Sequence, residues 1–322
     1  MFYFTVKETI MTEFLTDTLL MIKPVHFRGN DQTAVNNYYQ SKQSITSEEA
    51  QHKALVEFEK FVDKLRENDI EVIVMLDNEE HDTPDSVFPN NWISFHEDGT
   101  VAIYPMFAEN RRHERRDDLI DYLELQGLSV GDKIDFTGWE SQNKFLEGTG
   151  SLVLDRENKI AYAALSERTD EEVLEDFKSK MGYEVVAFHS NQTANGKRVP
   201  VYHTNVMMAM GDTFCIACMD SIDDEAEKNE LILSLTTSGK EIVEISEGQM
   251  GRFAGNALQL KNKKGKTVLV MSESAAKSLD NDQLEDLQKY NDLIISSPLD
   301  TIESLGGGSA RCMMAEVFLP RV

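Results

Sequence analysis

Three cysteines among 322 residues cannot build a disulfide framework, which removes the small oxidised secreted scaffolds from consideration. No apolar run approaches the ~18 residues that a membrane span needs. Positive charge is scarce: 32 Lys and Arg stand against 57 Asp and Glu, a formal net charge of −25. A nucleic-acid partner would need a basic face, and none is evident. The one basic knot, Arg111–Arg116 (RRHERR), is broken by His113 and Glu114 and followed by Asp117 and Asp118. No G-x-x-x-x-G-K-[ST] or G-x-G-x-x-G leads from a strand into a helix, so no nucleotide cofactor is indicated. His26, His52, His81, His96, His113 and His189 lack metal-ligand spacing. The opening stretch MFYFTVKETIMTEFL puts Lys7, Glu8 and Glu13 where a signal peptide needs apolar residues. Residues 1–17 therefore read as an N-terminal extension, and a cytoplasmic protein is expected. What remains, 41% hydrophobic and 28% charged, is ordinary globular composition with length for a sizeable core.

An internal period organises that core. Four stretches have apolar, β-branched-rich arms around polar or glycine turns, the pattern of β-hairpins. They are Phe88–Met106 turning at Asp98-Gly99, Phe145–Leu165 turning near Arg156–Lys159, Val201–Met219 turning at Gly211-Asp212, and Ala254–Met271 turning at Lys264–Lys266. A fifth arises if Ser309–Leu319 pairs with Thr18–Val25 near the other end of the chain. Helices are expected between hairpins: Ser47–Asn68, Asp117–Leu125, Thr169–Met181, Ile222–Thr236 and Asp282–Tyr290. The first carries Ala50, Leu55, Phe58, Phe61, Val62 and Leu65 as an apolar stripe, and Thr169 with Glu172 has capping-box spacing. Five ββαβ units over residues 18–322 predict an α/β fold closed as a five-bladed propeller, because radial repetition protects strand edges. One domain is expected.

The repeat brings polar residues into one register. Asn91, Glu147, His203, Asn256 and Cys312 follow one another at intervals of 56, 56, 53 and 56 residues. Singly, a buried Cys or His is most often core. At one register they supply a thiol nucleophile, an acid/base and an orienting carboxylate, which covalent catalysis requires. An unperturbed thiol has a pKa near ~8.5, and a His203 cation or Arg311 beside Cys312 is expected to lower it.

The stretches Ser304–Glu316 (SLGGGSARCMMAE), Tyr202–Asn205 (YHTN) and Phe145–Leu154 (FLEGTGSLVL) resemble the guanidino-group-modifying superfamily of penteins. That group includes arginine deiminases, dimethylarginine dimethylaminohydrolases and amidinotransferases. The resemblance spans roughly Leu20 to Pro320 and implies Cys312 as nucleophile, His203 as acid/base and Glu147 as the carboxylate that orients the substrate. It further implies that Arg168 in Ser166–Thr169 (SERT) grips a substrate carboxylate, with Arg112 as a second arginine on that side. Asn90, Asn91, Asn205 and Arg311 complete the expected substrate-binding set.

Two departures bear on the substrate. Where arginine deiminases read Phe-Thr-Arg-Asp the chain has Phe88-Pro89-Asn90-Asn91, and where they read His-x-Asp it has His203-Thr204-Asn205. A guanidinium offers only donors and suits carboxylates, whereas an amide suits a neutral ureido group with its own carbonyl. The expected activity is hydrolysis of citrulline to ornithine, CO2 and ammonia, as in the citrulline-hydrolase branch that the chain resembles through Phe88–Trp92 and Gly306–Met313. The alternatives are a guanidino substrate held by Glu147 with another carboxylate such as Asp85, for a deiminase, dihydrolase or amidinotransferase, and a binding-only pentein. No metal or other cofactor is expected. The partner is a small ureido or guanidino amino acid, and a homo-oligomer stays open. Cys215 and Cys218 form a C-x-x-C in a strand, where residues three apart face opposite sides, so they read as core.

Overall fold

The computed structural model describes residues 14–41 and 45–322. Of the expected extension, residues 1–13 lie outside the described residues. Thr16 is already tied in: its hydroxyl donates to the Val317 carbonyl at 2.5 Å, and its own carbonyl accepts from Lys261 N at 3.0 Å.

Among the described residues, five three-stranded sheets share one plan, an antiparallel pair followed by a parallel third strand. In the first, Thr18–Lys23 lies between Ala315–Glu316 and Glu71–Leu76. In the second, Val101–Ile103 lies between Ile93–Phe95 and Lys133–Asp135. The third centres on Ile160–Ala164, the fourth on Phe214–Ala217 and the fifth on Thr267–Ser272. A parallel partner demands a crossover, and a helix fills it each time: Ser47–Glu67, Leu119–Leu125, Glu171–Met181, Glu225–Thr237 and Asn281–Tyr290. All four expected hairpins form, as does the pairing of the first strand with the last. The chain is a mixed α/β protein of several small sheets.

Several helix expectations shift: the helix read from Ile222 starts at Glu225, capped by Asp224, and the one read from Asp117 starts at Leu119. The helix read from Thr169 starts at Glu171, because Asp170 is the cap and its carboxylate accepts from Glu172 N. Thr169 is instead drawn into backbone bridges with Ser166 and Leu146. On Ser47–Glu67 the core face holds Ala50, Ala54, Phe58, Phe61, Val62 and Leu65, with Ala54 fully buried and Leu55 at the margin. A two-stranded ribbon, Asn191–Ala194 with Lys197–Pro200, stands outside the repeat.

The antiparallel inner strands lie against one another in neighbouring units: Ala315–Glu316 beside Ile93–Phe95, and Met208–Met210 beside both Val153–Asp155 and Leu258–Lys261. Met207 and Met208 pack in the largest apolar cluster, with Cys215, Cys218 and Phe214. Burial pushes both of those thiols up, Cys218 to about 11. They are core residues.

Candidate active site

One local device recurs ahead of the inner strands. Asn91 ends a helical turn, Pro89–Asn91; Glu147 and His203 cap the short helices Gly148–Ser151 and Thr204–Met207; Cys312 sits in the turn Ala310–Met313. Each turn is too short to bury a face of its own. It reverses the chain just before the strand and hands one side chain inward. Asn91, Glu147, His203, Asn256 and Cys312 are all buried.

Glu147 is at the centre. Its Oε2 lies 2.7 Å from His203 Nε2, 3.5 Å from an Arg168 amine and 3.7 Å from an Arg111 amine, and its Oε1 accepts from Phe107 N at 3.0 Å. Burial works to raise this carboxyl, but Arg168, His203 and Arg111 overcome it and hold the group ionised. Its backbone is fixed as well, since Ser151 Oγ bridges Glu147 N and the Arg168 carbonyl. Because Nε2–H of His203 is spent on the carboxylate, the hydrogen-bond network assigns the lone pair to Nδ1. That nitrogen faces Gly150. A Cβ there would stand 2.8 Å from Nδ1 and 2.5 Å from Asn91 Nδ2, so only glycine leaves the space open.

The thiol has amide neighbours. Asn256 Nδ2 donates to Cys312 Sγ at 3.3 Å and Asn205 Nδ2 approaches it at 3.6 Å. The sequence suggests a His203 cation beside Cys312; the structure corrects this. Burial depresses the imidazole to about 4, outweighing the pull of Glu147, so His203 is neutral near pH 7. Burial likewise raises the Cys312 thiol, against lowering contributions from the Ser309 backbone, Asn256, Arg311 and Asn205. At rest the Cys312 thiol and the His203 imidazole are both uncharged.

The arginines separate. Arg168 is buried, with Nε and an amine on Asn36 Oδ1 at 3.0 and 2.5 Å, an amine on the Thr33 carbonyl, and its guanidinium over the Tyr202 ring. Arg112 lies half-buried on the Met106 and Phe107 carbonyls. The residue that reaches inward is its neighbour Arg111, which donates to Asn91 Oδ1 at 2.8 Å and makes a two-pronged pair with Glu114. Arg311 turns its guanidinium to Glu316 and the Met314 carbonyl, while its backbone N–H donates to Asn256 Oδ1. Asn90 Oδ1 accepts from Asn91 Nδ2, and Asn90 Nδ2 donates to Thr149. Asp85 is buried with Oδ2 on Asn30 and Thr33, while its Oδ1 has no hydrogen-bond partner among the described residues.

Residues 30–41 form a strap over this centre. Besides Asn36 on Arg168, Asn37 and Gln40 donate to the carbonyls of Gly306 and Gly307, and Tyr202 Oη donates to Gly307. Gly307 has φ +65°, a conformation that favours glycine. Between strap and Ser166–Arg168 lies a cleft of about 240 Å³, lined also by Pro200 and Tyr202. Sequence spacing could not mark the strap, which has no strand or helix period.

The family model for N,N dimethylarginine dimethylhydrolase, eukaryotic, matches residues 23–319. The chain belongs to this family, within the guanidino-group-modifying pentein superfamily. Comparison with curated protein sequences finds no match. Among solved structures, this member of the family is similar to ArgZ, a cyanobacterial arginine dihydrolase, with TM-score 0.71 and 16% identity over 95% of this chain and 41% of that one. The N-terminal domain of ArgZ in a Cys-to-Ser variant bound to substrate gives TM-score 0.68 and 16% identity, over 93% and 97% of the two chains. A dimethylarginine dimethylaminohydrolase, a His-to-Gly variant carrying an S-methyl-L-thiocitrulline adduct, gives 0.60 and 14% over 94% and 99%. At these identities the likeness shows the pentein fold. The chain spans about two fifths of full-length ArgZ and AgrE.

Proposed function

We propose that this chain is a cysteine-dependent hydrolase of the terminal C–N bonds of a small amino acid, and that its substrate is the neutral ureido group of citrulline. The observation that carries the ureido choice is the amide set: the polar side chains that contact Cys312 Sγ among the described residues are Asn205 and Asn256, with no carboxylate between them. The catalytic-register carboxylate, Glu147, already balances His203, Arg168 and Arg111. A guanidinium brought to such a site would sit without a pairing charge of its own, which costs several kcal/mol.

In this reading Cys312 passes its proton to His203 Nδ1 and attacks the ureido carbon. The imidazolium, steadied by Glu147, protonates the departing nitrogen, and the C–N bond breaks to leave a carbamoyl thioester on Cys312. Water, deprotonated by His203, then cleaves that adduct. One citrulline and one water give ornithine, CO2 and ammonia. Arg168 holds the substrate carboxylate by displacing Asn36. The unpartnered Asp85 oxygen suits an ammonium group, and Arg111 holds Asn91 in place.

In the same reading the five units over residues 18–322 close into a five-bladed propeller with the site on its axis. No metal or cofactor enters the chemistry. Three buried free cysteines suit a reducing, cytoplasmic setting.

A second reading, arginine dihydrolysis, is favoured by the comparisons: arginine dihydrolases stand among the structural neighbours, one of them an Asn-to-Ser variant bound to a reaction intermediate. The two readings separate on Asn205→Asp. If the amides set the preference, the added carboxylate lowers citrulline turnover at least tenfold and strengthens inhibition by arginine. An unchanged ratio between the two amino acids refutes the ureido argument.

A further inference from the structure

Asn256 shares the repeat register of the catalytic set, yet nothing so far assigns it a chemical task. Its carboxamide is fully engaged. Oδ1 accepts from Arg311 N at 2.9 Å; Nδ2 donates to the Asn205 carbonyl at 2.8 Å and to Cys312 Sγ at 3.3 Å. The Arg311 N–H fixes which end is oxygen, because a flipped amide would set NH2 against N–H. The NH2 therefore points at sulfur permanently. Asn205 is less committed: its Nδ2 is shared with the Thr149 carbonyl at 3.3 Å, and its Oδ1 stands 3.8 Å from Sγ, able to accept the thiol proton.

This arrangement answers a specific need. The thiol is buried, and its imidazole is neutral. Arg311, one residue away in sequence, spends its guanidinium on Glu316 and a carbonyl. A neutral substrate brings no cation of its own. The negative charge that forms on sulfur has to be met by a fixed dipole, and a donor to a charged acceptor is worth roughly twice a neutral pair.

We propose that Asn256 is a catalytic residue whose side-chain N–H stabilises the Cys312 thiolate, in place of the cation that other activated thiols use. Arg311 adds to this through its backbone, whose N–H orients Asn256, while its guanidinium is held by Glu316 and the Met314 carbonyl. The proposal rests on Cys312 being the nucleophile. Failure of that premise shows as turnover by Cys312→Ala, whereas failure of the Asn256 role shows as an unmoved thiol titration.

The test is the pH dependence of iodoacetamide alkylation, resolved by peptide mass spectrometry, in the wild type, Asn256→Asp and Asn256→Ala. Asp keeps an acceptor for Arg311 N but loses the donor and faces sulfur with negative charge. The Cys312 midpoint should rise by about one pH unit or more in both variants, a tenfold loss of thiolate at fixed pH. Cys215 and Cys218 report folding in the same sample, since they stay unmodified while the core is intact. A second measurement needs no variant at this position: in the wild type, the Asn256 side-chain NH2 resonances should titrate with the Cys312 midpoint, and lose that titration in Cys312→Ser. Variants that keep Cys215 and Cys218 protected with the wild-type midpoint, or NH2 resonances blind to the thiol, overturn the proposal.

Discussion

Gly150→Ala is the sharpest steric probe of the site. The backbone there is ordinary for any residue, so the substitution carries no conformational penalty, and the whole effect comes from one methyl group. That methyl would stand 2.5 Å from Asn91 Nδ2, 2.8 Å from His203 Nδ1 and 2.9 Å from His203 Cε1. Real contacts of this kind sit nearer ~3.5–4.0 Å, so the imidazole, the amide or the turn Gly148–Ser151 must retreat by about 1 Å. Neither side chain is free to do so. His203 is anchored on Glu147 at 2.7 Å, and Asn91 is held by Arg111 and Asn90. Overpacking of this size costs about 1–3 kcal/mol of stability. A misplacement of ~1 Å of an acid/base group costs on the order of 100-fold in turnover. Thermal unfolding and steady-state kinetics on one preparation read both. Gly127→Ala is the control: φ is +79° there and no atom lies within 4 Å of the added Cβ, so it should lose roughly 1 kcal/mol and keep its activity. If Gly150→Ala matches the wild type in turnover and melting, the placement of His203 and Asn91 around that glycine is wrong.

Other consequences are as specific. Glu147→Gln removes the carboxylate that balances Arg168 and Arg111, so it should destabilise by about 3–5 kcal/mol and lower turnover by 100-fold or more; urea unfolding with kinetics checks it, and a stable, active variant refutes the charge arrangement. Asn36→Asp puts a carboxylate where Arg168 now holds an amide oxygen. As a built-in competitor it should raise KM for the amino acid about tenfold with a smaller change in kcat, and an unchanged KM removes Arg168 from substrate binding. Burial depresses His203 to about 4 and His96 to about 3. Between pH 6.5 and 4.5 the unfolded chain takes up protons at these two histidines that the native state refuses, so their contribution to stability is lost as pH falls through that window, while Glu114 and Glu303, raised by burial to about 8 and about 7, act in the opposite direction. The histidine contribution is read as a difference: urea midpoints of His96→Gln should lose less stability than the wild type as pH falls through that window, and an unchanged pH dependence contradicts the assignment.

The hairpins were legible because each combined apolar arms with a polar or glycine turn; Gly99 and Gly265 do adopt positive φ, whereas in the turn near Arg156–Lys159 that conformation falls to Lys159. The ribbon over residues 191–200 carries the same kind of signal, Asn195-Gly196, both at positive φ, but its polar arms hide it from an apolar-pattern reading. The catalytic register was legible through the period alone. Which of two adjacent arginines turns inward was not: Arg111 and Arg112 occupy one tight turn, Glu109–Glu114, where neighbours point in different directions. Arg311 looked like a thiol partner by adjacency, yet the same turn geometry sends it to Glu316. Protonation was hidden for a further reason. The state of His203 depends on how completely Tyr202, Gly150 and the strap exclude water, and no local spacing encodes that.

The most direct test is product analysis with purified protein: ornithine and ammonia released from citrulline and from arginine in parallel, with Cys312→Ala as the blank. Ornithine and ammonia are expected from citrulline, none from the blank, and little from arginine. Efficient conversion of arginine with citrulline left untouched would contradict the ureido reading.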